Sequence, residues 1–147
     1  MMEIKLTKDE LETLIKLVYL GNWLANSWRT DDRITAFDEL QVSLLATART
    51  AGLRELVDED EETGKPIPSA VLDEALQETL DFYDDNTFWD QLIYRLADRD
   101  FLRRYGEGAA DELDTDEGVK KETPFLERYE KEFYANGLDR LEIRRDN

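Results

Sequence analysis

Four carboxylates are spaced in two pairs that could share a metal ion. Glu59 and Glu62 are three residues apart, and so are Glu78 and Asp81. Acids one helical turn apart lie on the same side of a helix, so each pair could present two carboxylates together. Carboxylate oxygens are ligands that Mg²⁺ takes in proteins, and the ion would then bridge the phosphates of a nucleotide.

This spacing resembles that of the all-α nucleoside-triphosphate pyrophosphohydrolases. The resemblance implies a Mg²⁺-dependent enzyme that uses Glu59, Glu62, Glu78 and Asp81 as metal ligands. Such a site needs both pairs on facing helices, whereas the first pair lies in a stretch bounded by glycine and proline. In a chain with 36 acidic residues such spacings also arise easily by chance. The sequence therefore favours an exposed loop and an outer helix face over a metal site.

The main concentration of basic side chains comprises Arg95, Arg99, Arg103 and Arg104. The first three would line one face of an unbroken helix. Such a face could clamp a phosphate, a carboxylate or an acidic segment of a partner protein. The guanidinium groups could instead pair with acids of the same chain, including Asp98 and Asp100. Because acidic residues outnumber basic ones by 36 to 19, the sequence favours internal salt bridges.

The composition excludes several kinds of catalytic site. The chain has no cysteine and no histidine, which rules out thiol nucleophiles, Ser-His-Asp catalysis and zinc sites built on thiolate or imidazole. We expect no cofactor. The net charge of −17 disfavours nucleic acid and anionic membranes as partners. An acidic surface could still meet a basic protein or mimic a nucleic acid.

The apolar runs are too short to span a membrane, and the first residues lack an apolar signal region. A cytoplasmic location is therefore expected. The length of 147 residues predicts one domain, residues 1–147, that is large enough to bury a core.

The densest apolar run, residues 11–28, predicts a helix with two apolar stripes. One stripe comprises Leu11, Leu14, Ile15 and Val18, and the other comprises Leu17, Leu20, Leu24 and Trp28. Thr7 and Glu10 have the spacing of a capping box and mark the start. Gly21 costs roughly 1 kcal/mol relative to alanine in an exposed helix, which suggests close approach of another backbone. The second stripe would be covered by later helices or by another subunit.

Periodicity and cap residues predict four further helices. Helix 2 begins after Thr30 or Asp31 and forms an antiparallel hairpin with helix 1. Helix 3 begins near Ser69 and ends at residues 84–86. Acidic loops are expected around residues 55–68 and 106–122.

Helix 4 is expected to start at the cap residue Thr87, and Asp98 predicts a break within it. Thr123 and Pro124 predict the start of helix 5, because proline is favoured at the first helical position. Alternating apolar residues near both ends of the chain suggest that the termini pair as a short β-ribbon. The predicted fold is an all-α, five-helix bundle-like domain, with this possible two-stranded ribbon.

Two segments, EIKLTKDELETLIKLVYLGNWL and NTFWDQLIYRLADRDFLRRYGE, resemble small acidic bacterial proteins of unknown function. The resemblance covers most of the chain and implies no activity. The sequence thus favours a non-enzymatic cytoplasmic domain for protein interaction or self-assembly, such as a homodimer that buries part of helix 1. A Mg²⁺-dependent pyrophosphohydrolase and an acidic nucleic-acid mimic are the alternatives.

Overall fold

A computed structural model of the protein describes residues 3–108 and 115–143, which are mostly helical. Along the chain, the elements are α1 (Lys8–Asn26), α2 (Thr35–Thr50), a 3-10 turn (Arg54–Leu56), β1 (Val57–Glu59), β2 (Pro66–Pro68), α3 (Ala70–Tyr105) and α4 (Thr115–Asn136). Contacts divide the chain into unit 1 (Met1–Phe82) and unit 2 (Tyr83–Asn147). The mostly helical class is confirmed, and a single domain stays a prediction.

The capping box predicted at the start of α1 is present. The Thr7 hydroxyl accepts a hydrogen bond from the Glu10 backbone N–H at 3.2 Å, and the Glu10 carboxylate accepts one from the Thr7 N–H at 2.8 Å. These bonds satisfy two backbone donors that a helix start leaves without partners.

Helices α1 and α2 form the expected antiparallel hairpin. The Lys8 ammonium donates to the Gly52 carbonyl at 3.0 Å, so the start of α1 lies beside the end of α2. At the other end, Asn26 contacts Ile34. Between these helices, the 3-10 turn and α3 lies the core of unit 1, formed by buried apolar side chains. They are Leu11, Ile15, Leu45, Ala48, Leu53, Leu56, Val57, Leu72 and Leu76.

The β-ribbon lies within unit 1 and does not involve the chain ends. β1 and β2 pair antiparallel, with Val57 opposite Pro68. Residues 3–6 and 141–143 are not strands, so the predicted pairing of the termini is wrong over these residues, and the residues beyond them lie outside the described part. The Asp60 carboxylate accepts hydrogen bonds from the Thr63 N–H and hydroxyl, which builds the turn. Closing this short loop costs less entropy than joining distant ends.

The ribbon also changes the first predicted loop. Residues 55–68 contain part of the 3-10 turn and both strands, so only the turn between the strands is irregular.

Helix α3 runs through both positions where the sequence suggested a break. Asp84 and Asp85 are exposed, so neither has to leave the helix to reach water. The Trp89 indole donates to the Asp85 carboxylate at 3.2 Å, one turn back along the same helix. Residue 98 is also exposed and helical. Predicted helices 3 and 4 are therefore one helix, and neither the five-helix count nor the bundle is confirmed in the described residues.

Helix α4 begins eight residues before the predicted start and carries Pro124 in its interior. The Thr123 hydroxyl donates to the Val119 carbonyl at 2.7 Å, one turn back, instead of capping a new helix. Asp116 and Glu117 lie in the first turn, where acidic side chains favour a helix start. Residues 115–122 of the second predicted loop are therefore helical, and residues 109–114 lie outside the described part.

Unit 2 is built largely from aromatic contacts between the second half of α3 and α4. Phe101 and Phe125 meet edge to face, with ring centroids 6.3 Å apart, and the ring centroids of Trp89 and Phe133 are 5.8 Å apart. Ala97, Phe101 and Phe133 are buried. Among the described residues, none of the helices has the length and apolar character needed to cross a membrane.

Candidate functional site

The four carboxylates proposed as metal ligands lie on different elements of unit 1. Glu59 belongs to β1 and Glu62 to the turn that follows, whereas Glu78 and Asp81 lie on α3. Glu59 accepts a hydrogen bond from Arg49 at 3.1 Å.

All four carboxylates are exposed, and Asp81 accepts a hydrogen bond from the Gln77 amide at 2.7 Å. Throughout residues 3–108 and 115–143, no three acidic side chains are arranged to hold a metal ion. The two pairs are therefore not brought together, and the placement of these groups does not support the pyrophosphohydrolase hypothesis.

Two of the four arginines proposed as an anion clamp meet a carboxylate of their own helix. Arg99 lies 2.9 Å from Asp100, and Arg103 lies 3.6 Å from the same oxygen. Arg128 of α4 binds the second oxygen of Asp100, and the Tyr129 hydroxyl donates to that oxygen at 2.6 Å. Arg99 and Arg103 therefore form salt bridges within the protein, to Asp100, as the sequence favoured.

The environment of Asp100 keeps this acid ionised. Burial by itself would raise the pKa, but hydrogen bonds from Tyr129, Arg99 and Arg128 outweigh burial and lower the pKa of Asp100 to about 2. The contacts of Arg128 and Tyr129 were not expected from the sequence, because these residues lie 28 and 29 positions further along the chain.

The other two arginines do not join this cluster in the contacts described. Arg95 donates to the side-chain oxygen Oε1 of Gln91 at 3.4 Å. The guanidinium of Arg104 lies 5.8 Å from the centre of the Tyr105 ring. The four arginines therefore do not form one clamp, and their role in binding an anion stays a prediction.

The most exposed part of the second predicted stripe lies on one side of α1. We call this surface the α1 face. It comprises Leu17 and Leu24 of that stripe, Leu14 of the first stripe, Gly21, and Trp28, which lies in the turn two residues beyond the end of α1. Leu17 is 62% exposed, Leu24 53% and Trp28 68%. Leu20, which the sequence assigned to the same stripe, packs against the core instead.

Glycine at the centre of the α1 face has no evident role within the chain. A Cβ atom built on Gly21 would have no contacting atom within 4 Å, and the backbone there is an ordinary helix. Glycine in a helix interior costs about 1 kcal/mol relative to alanine. Space within the unit therefore does not explain this residue, whereas a backbone approaching from outside would require it.

Two apolar depressions flank the α1 face. The N-terminal groove has a volume of about 450 Å³, and its apolar lining comprises Ile4, Leu6, Leu14 and Leu17. The α1–α2 hollow has a volume of about 240 Å³, and its apolar lining comprises Leu17, Val18, Gly21, Phe37 and Leu40. The α1 face is therefore uneven, with projecting side chains and receptive hollows on the same surface.

Charge is absent from the central part of this surface. Residues 17–28 contain no charged side chain, although charged residues make up 37% of the protein. Twelve successive uncharged residues on a partly exposed helix are unusual in a chain of this charge. The α1 face is thus suited to an apolar partner rather than to water.

The polar pair beside Gly21 serves the fold. The Asn22 side-chain amide donates to the side chains of Asp38 and Gln41, both at 3.0 Å, and the Asn26 amide donates to the side-chain oxygen Oδ1 of Asn22 at 2.7 Å. Both asparagines are buried. These side chains support the backbone at the α1–α2 turn.

Unit 2 has a groove of its own, which we call the aromatic groove. Its volume is about 760 Å³, and it is lined by Trp89, Ile93, Glu127, Glu130, Lys131, Phe133 and Tyr134. Tyr134 is 96% exposed. The two carboxylates and the ammonium group at its edge give no clear selection for one ligand charge.

Comparison with protein-family models, with curated proteins and with solved structures found no significant match to this chain. The resemblance to small acidic bacterial proteins therefore stays an expectation.

Proposed function

We propose that this protein is a non-enzymatic cytoplasmic interaction domain that binds another protein through the α1 face. The observation that carries the proposal is the exposure of Leu17, Leu24 and Trp28 on a segment without charge, which comprises the second half of α1 and the turn that follows. Contiguous apolar patches on soluble monomers are usually small, and larger ones mark binding sites.

The expected gain in free energy is sufficient for binding. Full burial of a leucine-sized side chain is worth about 1.5–3 kcal/mol, so covering the exposed half of one contributes about 1 kcal/mol. Trp28 adds a large aromatic surface, and tryptophan is enriched among residues that dominate interface energies. Leu6, Phe37 and Leu40 extend the apolar area around the α1 face.

The pyrophosphohydrolase alternative draws no support from the described residues, because its carboxylates are dispersed. An interaction domain needs no such convergence. It needs a rigid surface, and the capping box and the buried core of unit 1 hold α1 in place.

A photo-activated cross-linking residue at position 24, in the protein expressed in its own cells, tests the proposal. Position 74, an exposed acid on α3, provides the matched control. We expect a discrete cross-linked product from position 24 and none from position 74. Equal labelling from both positions, or none from position 24, would contradict an interaction through the α1 face.

A further inference from the structure

We propose that the partner of the α1 face is a second copy of this chain, bound antiparallel with a two-fold axis at Gly21. This inference rests on the proposed function and names the partner that the same surface takes. The arguments are the symmetry of the side chains about Gly21, the match of projections to hollows, and the distribution of charge.

The α1 face is nearly symmetric about its glycine. Leu14 and Trp28 each lie seven residues from Gly21, and Leu17 and Leu24 lie four and three residues from it. In a two-fold contact, where residue i of one copy meets residue j of the other, residue j of the first copy also meets residue i of the second. An antiparallel pair centred on Gly21 thus places Trp28, two residues beyond the end of α1, opposite Leu14 of the other copy, which lies about 10 Å from the axis along the helix.

Trp28 then has a place to bind. Opposite it, beside Leu14 of the second copy, lies the N-terminal groove of about 450 Å³, which is lined by Ile4 and Leu6 and also by Asp9, Glu10 and Thr13. An exposed indole and a largely apolar groove therefore meet twice in the dimer, once on each side of the axis. A parallel pair would instead place Trp28 against Trp28 and leave both grooves empty.

Leu24 is matched in the same way. The position opposite it lies at Leu17 and Val18, which border the α1–α2 hollow of about 240 Å³. Projecting leucine side chains that fill holes on a facing helix give the packing on which helix pairs depend. Phe37 and Leu40 of α2 form the far wall of this hollow and widen the contact beyond α1.

Gly21 lies where the two helices would approach most closely. A side chain there would have open space within one copy, but at the axis it would meet its own equivalent on the other. The helix stability that is lost because residue 21 is glycine is thus offset by the close approach of the two helices in the dimer, not by a contact within one copy.

Charge selects a second copy over a basic protein. A basic partner should meet acids at the centre of the contact surface, but residues 17–28 carry none, and Asp9 and Glu10 lie only at its edge, in the N-terminal groove. Two copies can share this uncharged strip while their acidic surfaces stay in water. Antiparallel helix dipoles also attract.

Sedimentation equilibrium of the full chain tests the proposal, with Gly21→Leu as the disrupting variant. Gly118 provides the matched control, because it also lies in a helix and a Cβ there meets nothing within 4 Å. We expect a dimer for the wild type and for Gly118→Leu. For Gly21→Leu we expect the dissociation constant of the dimer to rise at least about tenfold. Circular dichroism checks that both variants fold.

The absence of cysteine allows the orientation to be tested with single-cysteine variants. Thr13 and Arg29 lie eight residues on either side of Gly21, so Thr13→Cys mixed with Arg29→Cys should form a disulfide-linked heterodimer. Each variant alone should cross-link weakly. Stronger linking of each variant to itself would contradict the antiparallel pair.

A wild-type monomer at every concentration would overturn this inference, and so would a Gly21→Leu dimer of unchanged affinity. If position 24 still cross-links a different protein in cells, the proposed function stands while the second copy is rejected as the partner. No specific product at that position, together with a monomer, rejects both.

Discussion

Asn26 holds both backbone groups of Ile34. Its amide oxygen accepts from the Ile34 N–H at 2.8 Å, and its amide nitrogen donates to the Ile34 carbonyl at 3.2 Å. Ile34 is the N-cap residue of α2 and has no side chain that can cap the helix. A residue of α1 thus fixes the backbone of the N-cap of α2, whereas a local serine or aspartate cap accepts from the N–H groups two or three residues further on.

Replacing this asparagine should destabilise unit 1. Asn26→Ala leaves buried polar groups of Ile34 and Asn22 without partners, and we expect a loss of about 2–3 kcal/mol in the free energy of unfolding. Urea denaturation measures it. Asn136→Ala is the matched control, because that amide donates to Glu132 within its own helix and should cost below about 1 kcal/mol. Equal losses in the two variants would contradict the role given to Asn26.

The low pKa of Asp100 predicts a pH dependence for unit 2. In the folded protein the pKa of Asp100 is about 2, below the ordinary value of 3.8. The ionised carboxylate therefore stabilises the folded state fully above pH 4, and this stabilisation is lost as the pH falls toward 2. The pKa difference corresponds to roughly 2.5 kcal/mol. We expect nearer 1 kcal/mol, since Arg103 and Arg128 are more than half exposed and solvent screens them.

Asp100→Asn should remove this part of the pH dependence. Thermal unfolding of the variant and of Asp98→Asn, an exposed neighbour, should be compared between pH 2 and pH 6. The difference in stability between wild type and Asp100→Asn should shrink as the pH falls. A constant difference over this range would show that the ionised carboxylate contributes nothing specific.

Tyr19 should titrate at unusually high pH. Burial, and then a hydrogen bond to the carboxylate of Asp73, raises its pKa to about 12. A raised folded pKa gives stability that is complete below pH 10 and is lost as pH rises toward 12. Absorbance titration of the six tyrosines should show a step near pH 12 that Tyr19→Phe removes. An unchanged high-pH step in that variant would refute the assignment.

Trp28 should matter to association and little to folding. Because its side chain is mostly exposed, Trp28→Ala should change the free energy of unfolding by less than about 0.5 kcal/mol in dilute protein. It should weaken self-association by about 2 kcal/mol or more, as expected for an interface tryptophan. Tyr134→Ala, an exposed aromatic residue of unit 2, is the control and should leave the dimer unchanged. Parallel losses in both variants would point to nonspecific adhesion.

Local chemistry made much of unit 1 predictable. The capping box at Thr7 and Glu10 and the α1–α2 hairpin follow from residues a few positions apart. The two stripes of α1 were also visible, and the structure shows that Leu11 and Ile15 are buried while Leu17 and Leu24 are exposed.

Other features depend on contacts that local patterns do not encode. Thr87 and Asp98 have the side chains of cap residues, but neither ends the helix, since each costs a helix interior only about 0.7 kcal/mol or less relative to alanine. Alternation near the chain ends suggested strands, yet the ribbon forms where the turn at Asp60 closes a short loop.

In the candidate site, too, features within one segment were predictable and features that depend on tertiary contacts were not. Most of the α1 face could be predicted from spacing, because Leu17 and Leu24 belong to one helix and Trp28 follows its end. Arg128 and Tyr129, which complete the cluster on Asp100, come from a separate helix. The dispersal of the four carboxylates likewise depends on tertiary structure rather than on spacing.

Acrylamide quenching of Trp28 fluorescence, in a variant whose other tryptophans are replaced by Trp23→Phe and Trp89→Phe, tests the central claim most directly. If a second copy covers the α1 face, quenching should be strong in dilute protein and should fall as the concentration rises. Adding Gly21→Leu should keep Trp28 open to quencher throughout. Quenching of Trp28 that is strong and independent of protein concentration would contradict the account.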